Sequence, residues 1–147
     1  MKIRFMLLVL SITLGGCGSG DYVRIAGGGI SFNYRYSQAY MVVIAEQRRP
    51  MPEGAMVQAL FDVPGSTNRA IVQLPVMEGK LTYKLQTEPL MGFTKGGTYK
   101  VSLALVGADG KTIESHDTTY VSDEDQSTLP SKPLVEGLEF TPHLENL

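Results

Sequence analysis

The stretch Lys80-Leu81-Thr82-Tyr83-Lys84-Leu85-Gln86 alternates polar and apolar side chains without a break. A period of two marks a β-strand with one face on a core and the other in water, because successive Cβ atoms point to opposite sides. It predicts Leu81, Tyr83 and Leu85 inward and Lys80, Thr82, Lys84 and Gln86 outward. The same period recurs on both sides of this stretch. Upstream lie Ile30, Phe32, Tyr34 and Tyr36, then Val57, Ala59, Phe61 and Val63 closed by a Pro64-Gly65 turn. Val72, Leu74 and Val76 follow, where Pro75 has no amide to donate and so predicts an edge or a strand end. Downstream, Tyr99, Val101, Leu103 and Leu105 alternate with polar or small residues. Ala108-Asp109-Gly110-Lys111 then turns the chain into a return strand over about residues 112–121.

The run from Ala39 to Glu46, centred on Val42, Val43 and Ile44, fits a strand covered on both faces or a short buried helix. Seven to eight short strands with turn signals at near-regular spacing predict an all-β, antiparallel sandwich. The predicted boundaries are an export segment over residues 1–16, a Gly-rich tether over 17–29, the sandwich over 30–128, and a C-terminal extension over 129–147 with a short strand near Val135 to Phe140.

The run from Leu90 through Gly92, Tyr99, Val101 and Leu103 resembles the loop and F strand of fibronectin type III and other immunoglobulin-like domains. There a leucine and a glycine precede Tyr-x-Val-x-Val. The resemblance implies that the Tyr99 hydroxyl bonds back to the upstream backbone and staples a corner of the sandwich.

At the N-terminus, Lys2 and Arg4 precede the mainly apolar residues Phe5 to Leu14, and Gly15, Gly16 and Cys17 follow. This is the order of a secretory signal, and ten residues at about 1.5 Å each make a helix of roughly 15 Å, half of what a membrane span needs. Leu14-Gly15-Gly16-Cys17 resembles the lipobox of bacterial lipoproteins. The resemblance implies cleavage before Cys17, a lipid on its thiol and an acylated N-terminus, and Gly18 in place of aspartate implies the outer membrane; that the domain faces the periplasm is an expectation the motif does not decide. Cysteine usage agrees, since a single cysteine in an exported chain has no disulfide partner. Two or more acyl chains hold a protein to its membrane, because each buried methylene contributes about 0.8 kcal/mol.

Loss of residues 1–16 removes two of the 13 basic side chains and leaves 11 against 15 acidic, a net charge of −4 that argues against nucleic acid. The one basic pair, Arg48-Arg49, is read as a solvated turn, with contact to anionic headgroups as the alternative. Ser115-His116-Asp117 has the letters of a hydrolase triad, but neighbours on a strand face opposite ways, so the trio is read as a polar outer face. His116 and His143 are the only histidines, which leaves no zinc site of Cys or His spacing. Asp123, Glu124 and Asp125 lack the spacing of a calcium loop and read as a solvated acidic loop. No cofactor and no catalytic residue is assigned. Tyr34, Tyr36 and Tyr40 form the densest aromatic group and are the candidate binding surface. The expectation is a non-enzymatic envelope lipoprotein, held to the membrane by its lipid anchor, that contacts another envelope protein. The alternative is a carbohydrate- or peptidoglycan-binding module that uses the tyrosines.

Overall fold

The computed structural model describes residues 20–135. The export segment, Cys17, His143 and the extension beyond Val135 lie outside the described residues. Seven strands form two antiparallel sheets: β1 (Val23–Asn33), β2 (Gln38–Gln47), β3 (Met56–Asp62), β4 (Arg69–Pro75), β5 (Thr82–Gln86), β6 (Thr98–Val106) and β7 (Thr112–Val121). One sheet has the order β1-β2-β5 and the other β4-β3-β6-β7, a sandwich compatible with an immunoglobulin- or fibronectin III-like domain. A single 3₁₀ turn at Gln126–Thr128 follows β7. Among the described residues no helix is long and apolar enough to cross a membrane.

The core is built from the inward positions of both sheets. Met41, Val43 and Ala45 of β2 face Val57, Ala59 and Phe61 of β3 and Val101, Leu103 and Leu105 of β6, all fully buried. The two residues of the diagnostic stretch that enter this core are Tyr83 and Leu85, also fully buried. A buried tyrosine needs a partner for its hydroxyl, and Tyr83 Oη accepts the Met77 amide at 3.1 Å. Leu81, expected inward, is 64 % exposed. β5 begins only at Thr82, paired with Glu46, so Leu81 lies past the end of the core even though its carbonyl still accepts the Gln47 amide at 2.8 Å. Pro75 ends β4, an edge strand, where its missing amide costs no ladder bond.

β2 is a strand rather than a buried helix. Its outer residues Tyr40, Val42 and Ile44 are half-buried by their neighbours within the sheet, since among the described residues no second layer covers that face.

Two boundaries differ from expectation. β1 starts at Val23, so Gly27, Gly28 and Gly29 belong to the sheet, opposite Ile44, Val43 and Val42, and not to a tether. A bulge between Ile25 and Gly27 leaves Ala26 out of register. At Gly28, φ is +141° and a Cβ would stand 2.1 Å from Tyr120 Oη and 2.2 Å from the Val42 carbonyl oxygen. Glycine there lets the β7 tyrosine close against the opposite sheet. At its other end, β1 stops at Asn33, and Tyr34 to Ser37 form the hairpin turn, with Ser37 at φ 52°. The Asn33 side-chain oxygen accepts the Tyr36 amide at 3.3 Å, a local alternative to the ladder that ends the alternation.

The connections divide the molecule into two poles. The near pole carries the start of β1, the β2–β3 and β4–β5 loops and the β6–β7 hairpin. The Arg48 amide bonds the Tyr22 carbonyl there at 2.7 Å, and the Val76 amide bonds Ala55 at 2.9 Å. The far pole carries the β1–β2 hairpin, the β3–β4 and β5–β6 loops and the 3₁₀ turn. Residues after the turn fold back on that hairpin, where the Leu134 amide bonds the Arg35 carbonyl at 2.8 Å and Val135 is buried.

Candidate functional site

The structure separates the three candidate tyrosines. Tyr34 sits at the tip of the far-pole hairpin and is 40 % exposed, whereas Tyr36 and Tyr40 are half-buried. Tyr40 projects from the outer face of β2 opposite Ser31 and does not join Tyr34. What surrounds Tyr34 instead is the acidic run. Its hydroxyl donates to the Glu124 carboxylate and lies 3.4 Å from Thr128 Oγ1, and Thr128 donates to the same carboxylate at 3.1 Å.

That run is ordered by its own side chains rather than left as a solvated loop. Asp125 caps the 3₁₀ turn, accepting the Ser127 amide at 3.0 Å and the Ser127 hydroxyl at 2.7 Å. These two bonds hold its carboxyl below the usual range. Gln126 reaches the other way. Its oxygen accepts the Gly92 and Phe93 amides at 2.5 and 3.1 Å, and its nitrogen donates to the Leu90 carbonyl at 3.0 Å. The β5–β6 loop is thereby pinned to the 3₁₀ turn, with Met91 left 73 % exposed beside it.

Below the loop, Phe93 is buried edge-on between Phe32, at 6.0 Å and 67°, and Tyr99, at 5.0 Å and 75°. The Tyr99 hydroxyl accepts the Thr94 amide at 3.0 Å. A Cβ at Gly97 would come within 2.7 Å of that hydroxyl, so glycine is required for this corner to close.

Next to Tyr34, the free edges of β1 and β7 border a groove of about 590 Å³ lined by Ile30, Phe32, Tyr34, Tyr120, Asp123 and Glu124 among others. It combines aromatic surface with two carboxylates, a chemistry suited to holding a polar ligand or a partner's side chain. The tyrosine density of the sequence pointed to this end of the molecule. Glu124, Gln126 and Met91 carried no signal there, because what joins them is the return of the chain after β7.

The near pole holds the histidine. Ser115 and Asp117 face outward, but His116 lies with Glu114 on the side of β7 toward β1, its Nε2 3.1 Å from Glu114 Oε1. Its placement corrects the reading of that stretch as a purely outer face, and i, i+2 spacing on a strand is the signal that would have found the pair. Glu114 also accepts the Tyr22 and Val23 amides at 2.9 and 2.8 Å, latching the start of β1 to β7. Burial pushes its carboxyl upward, but the two amides and His116 outweigh burial and leave it below the ordinary value of 4.5. Among the described residues, Asp21, Glu114 and His116 form the one group of three potential metal ligands whose atoms converge, within 4.8 Å. A cation there would compete with the two amides and the imidazole for Glu114. Asp123, Glu124 and Asp125 do not converge in this way.

No protein-family model matches the chain. No curated protein matches it. Among solved structures, wild-type OgpA from Akkermansia muciniphila is similar at 16 % identity and a TM-score of 0.44, over 70 % of this chain and 28 % of that one. Catalytically inactive OgpA in complex with an O-glycopeptide substrate, glycodrosocin, is similar at 16 % identity and a TM-score of 0.38, over 70 % and 29 %. The chain thus spans less than a third of the length of the OgpA chains it resembles.

Proposed function

We propose that this protein is a lipid-anchored envelope lipoprotein of the outer membrane, facing the periplasm, whose sandwich acts as a non-enzymatic accessory by contacting another envelope protein through its far pole. The observation that carries the reading is the polarity of β1. Its eleven residues, at roughly 3.3 Å each, put the Tyr34 hairpin about 35 Å from the end that follows Cys17. An anchor at Cys17 therefore turns Tyr34, Met91 and the adjoining groove away from the bilayer. The polar groups around Tyr34 bond to one another and to backbone, which supports a preorganised recognition surface rather than a reaction centre. Met91 and the Tyr34 ring supply the exposed apolar contact that such surfaces use.

Photo-crosslinking in cells tests the reading. A photoreactive residue at Met91 should capture one discrete envelope protein, the same residue at Lys111 on the near pole should not, and Tyr34→Ala should abolish the Met91 product. Capture from Lys111 alone, or none from either, overturns it. The second reading, glycan binding, is favoured by the Tyr34 ring beside Asp123 and Glu124. Retention on peptidoglycan that is lost in Tyr34→Ala without a fall in Tm would transfer the function to it.

A further inference from the structure

The register of β1 on β2 brings Arg24 to the adjacent pair Arg48-Arg49, from which the sequence keeps it apart. Arg24 lies opposite Glu46, and Arg48 and Arg49 follow directly where β2 ends at Gln47. With Gly20 and Asp21 they line a hollow of about 440 Å³ at the near pole. One carboxylate serves two of them. Arg24 Nη2 is 2.6 Å from Glu46 Oε2, and Arg48 Nη1 is 3.4 Å from Glu46 Oε1. Arg49 is held differently. Its guanidinium carbon sits 3.4 Å from the centre of the Tyr22 ring, and its Nε–H is buried with no hydrogen-bond partner among the described residues.

A guanidinium seated over a ring is engaged through its face, which leaves in-plane N–H donors, the groups that grip tetrahedral oxyanions, unspent on the ring. Of the residues that line the hollow three are cationic and one, Asp21, is anionic; Glu46 offsets Arg24 and Arg48 from β2, and Glu114 stands beside Asp21. The hollow also has a fixed place along the chain. Gly20 is three residues after Cys17, so at no more than about 3.6 Å per residue the hollow begins within roughly 11 Å of the Cys17 backbone. An acyl chain on the Cys17 thiol would put the hollow within reach of the headgroup layer, which occupies the outer 5–7 Å or so of each leaflet.

We propose that Arg24, Arg48 and Arg49 form a binding site for the phosphate of an anionic lipid headgroup, which fixes the orientation of the sandwich on the bilayer. The inference rests on the lipoprotein reading above. Near a membrane each arginine contributes about a five-fold gain in affinity for anionic lipid.

Native mass spectrometry of the purified full chain in dodecyl maltoside tests the site, with phosphatidylglycerol, phosphatidylcholine or inorganic phosphate added in turn. One phosphatidylglycerol should be retained in preference to phosphatidylcholine. Retention should fall about five-fold in Arg49→Gln and further in Arg24→Gln/Arg49→Gln, but not in Lys132→Gln, which removes one charge at the far pole. Equal retention of the two lipids, or loss in Lys132→Gln equal to that in Arg49→Gln, overturns the site. Phosphate binding without lipid preference overturns the headgroup assignment. An unchanged Tm for Arg49→Gln separates lost binding from lost folding; if the Tm falls, Arg49→Lys must still reduce retention, because it keeps the charge but loses the planar fork. The Cys17→Ser chain should keep its phosphatidylglycerol preference while losing its acyl label, so failure of the anchor and failure of the pocket give different results.

Discussion

Replacing Gly28 by alanine tests whether the glycine run is part of the sandwich or a flexible leader. The new Cβ would lie 2.1 Å from Tyr120 Oη, 2.9 Å from its Cζ and 2.2 Å from the Val42 carbonyl oxygen, on a backbone at φ +141°. A sparsely populated backbone conformation costs about 1–3 kcal/mol for a residue with a side chain, and forcing extra carbon into packed surroundings costs about 1–3 kcal/mol more. We expect Gly28→Ala to lose about 3–5 kcal/mol in urea denaturation of the full chain, a fall in Tm of about 10 °C or more. Tyr120→Ala removes two of the three close contacts but leaves the Val42 carbonyl and the backbone conformation. In that background the cost of Gly28→Ala should shrink by about 1–2 kcal/mol without vanishing. Gly20→Ala is the control, because nothing lies within 4 Å of its Cβ position, and it should change stability by no more than about 0.5 kcal/mol. If Gly28→Ala matches Gly20→Ala, Tyr120 does not close on β1 and the residues behave as a tether after all.

Glu114→Gln should cost about 1.5–3 kcal/mol at pH 7, the value of hydrogen bonds to a charged acceptor, here the carboxylate that takes the Tyr22 and Val23 amides. Because the folded carboxyl titrates below its usual 4.5, the charged form's contribution is present above the unfolded pKa and is lost as pH falls through the folded one. The gap between wild type and Glu114→Gln should therefore close below about pH 4.5, and a gap that widens there would contradict the latch. Tyr99→Phe leaves the Thr94 amide without its hydroxyl partner and should lower stability by about 1–2 kcal/mol while the Met91 crosslink persists. Leu103→Ala, at a fully buried position of β6, should cost about 2–5 kcal/mol by calorimetry or denaturant titration. Cys17→Ser should lose labelling by radioactive palmitate and leave the membrane fraction; retention of either property would remove the basis of the lipid anchor.

By itself, the sequence determined the strands whose residues see one apolar and one wet face. β3, β4 and β6 fall where the period of two places them, with Pro75 at an edge, and β7 falls where the Ala108 to Lys111 turn returns the chain. Such strands are legible because side-chain direction is a local consequence of backbone geometry. Tertiary structure decided everything that depends on what stands opposite. Gly27-Gly28-Gly29 reads as a flexible leader until Tyr120 of the other sheet is seen to need the missing Cβ. Leu81 reads as core until β5 and its pairing with β2 are seen to end one position short of it. The Tyr34 site, the Glu114 latch and the arginine hollow each join residues distant in sequence, such as Tyr34 with Glu124 and Tyr22 with Glu114. No local pattern encodes such pairs, because their proximity follows from the register of β1 on β2 and from the closure of one sheet over the other.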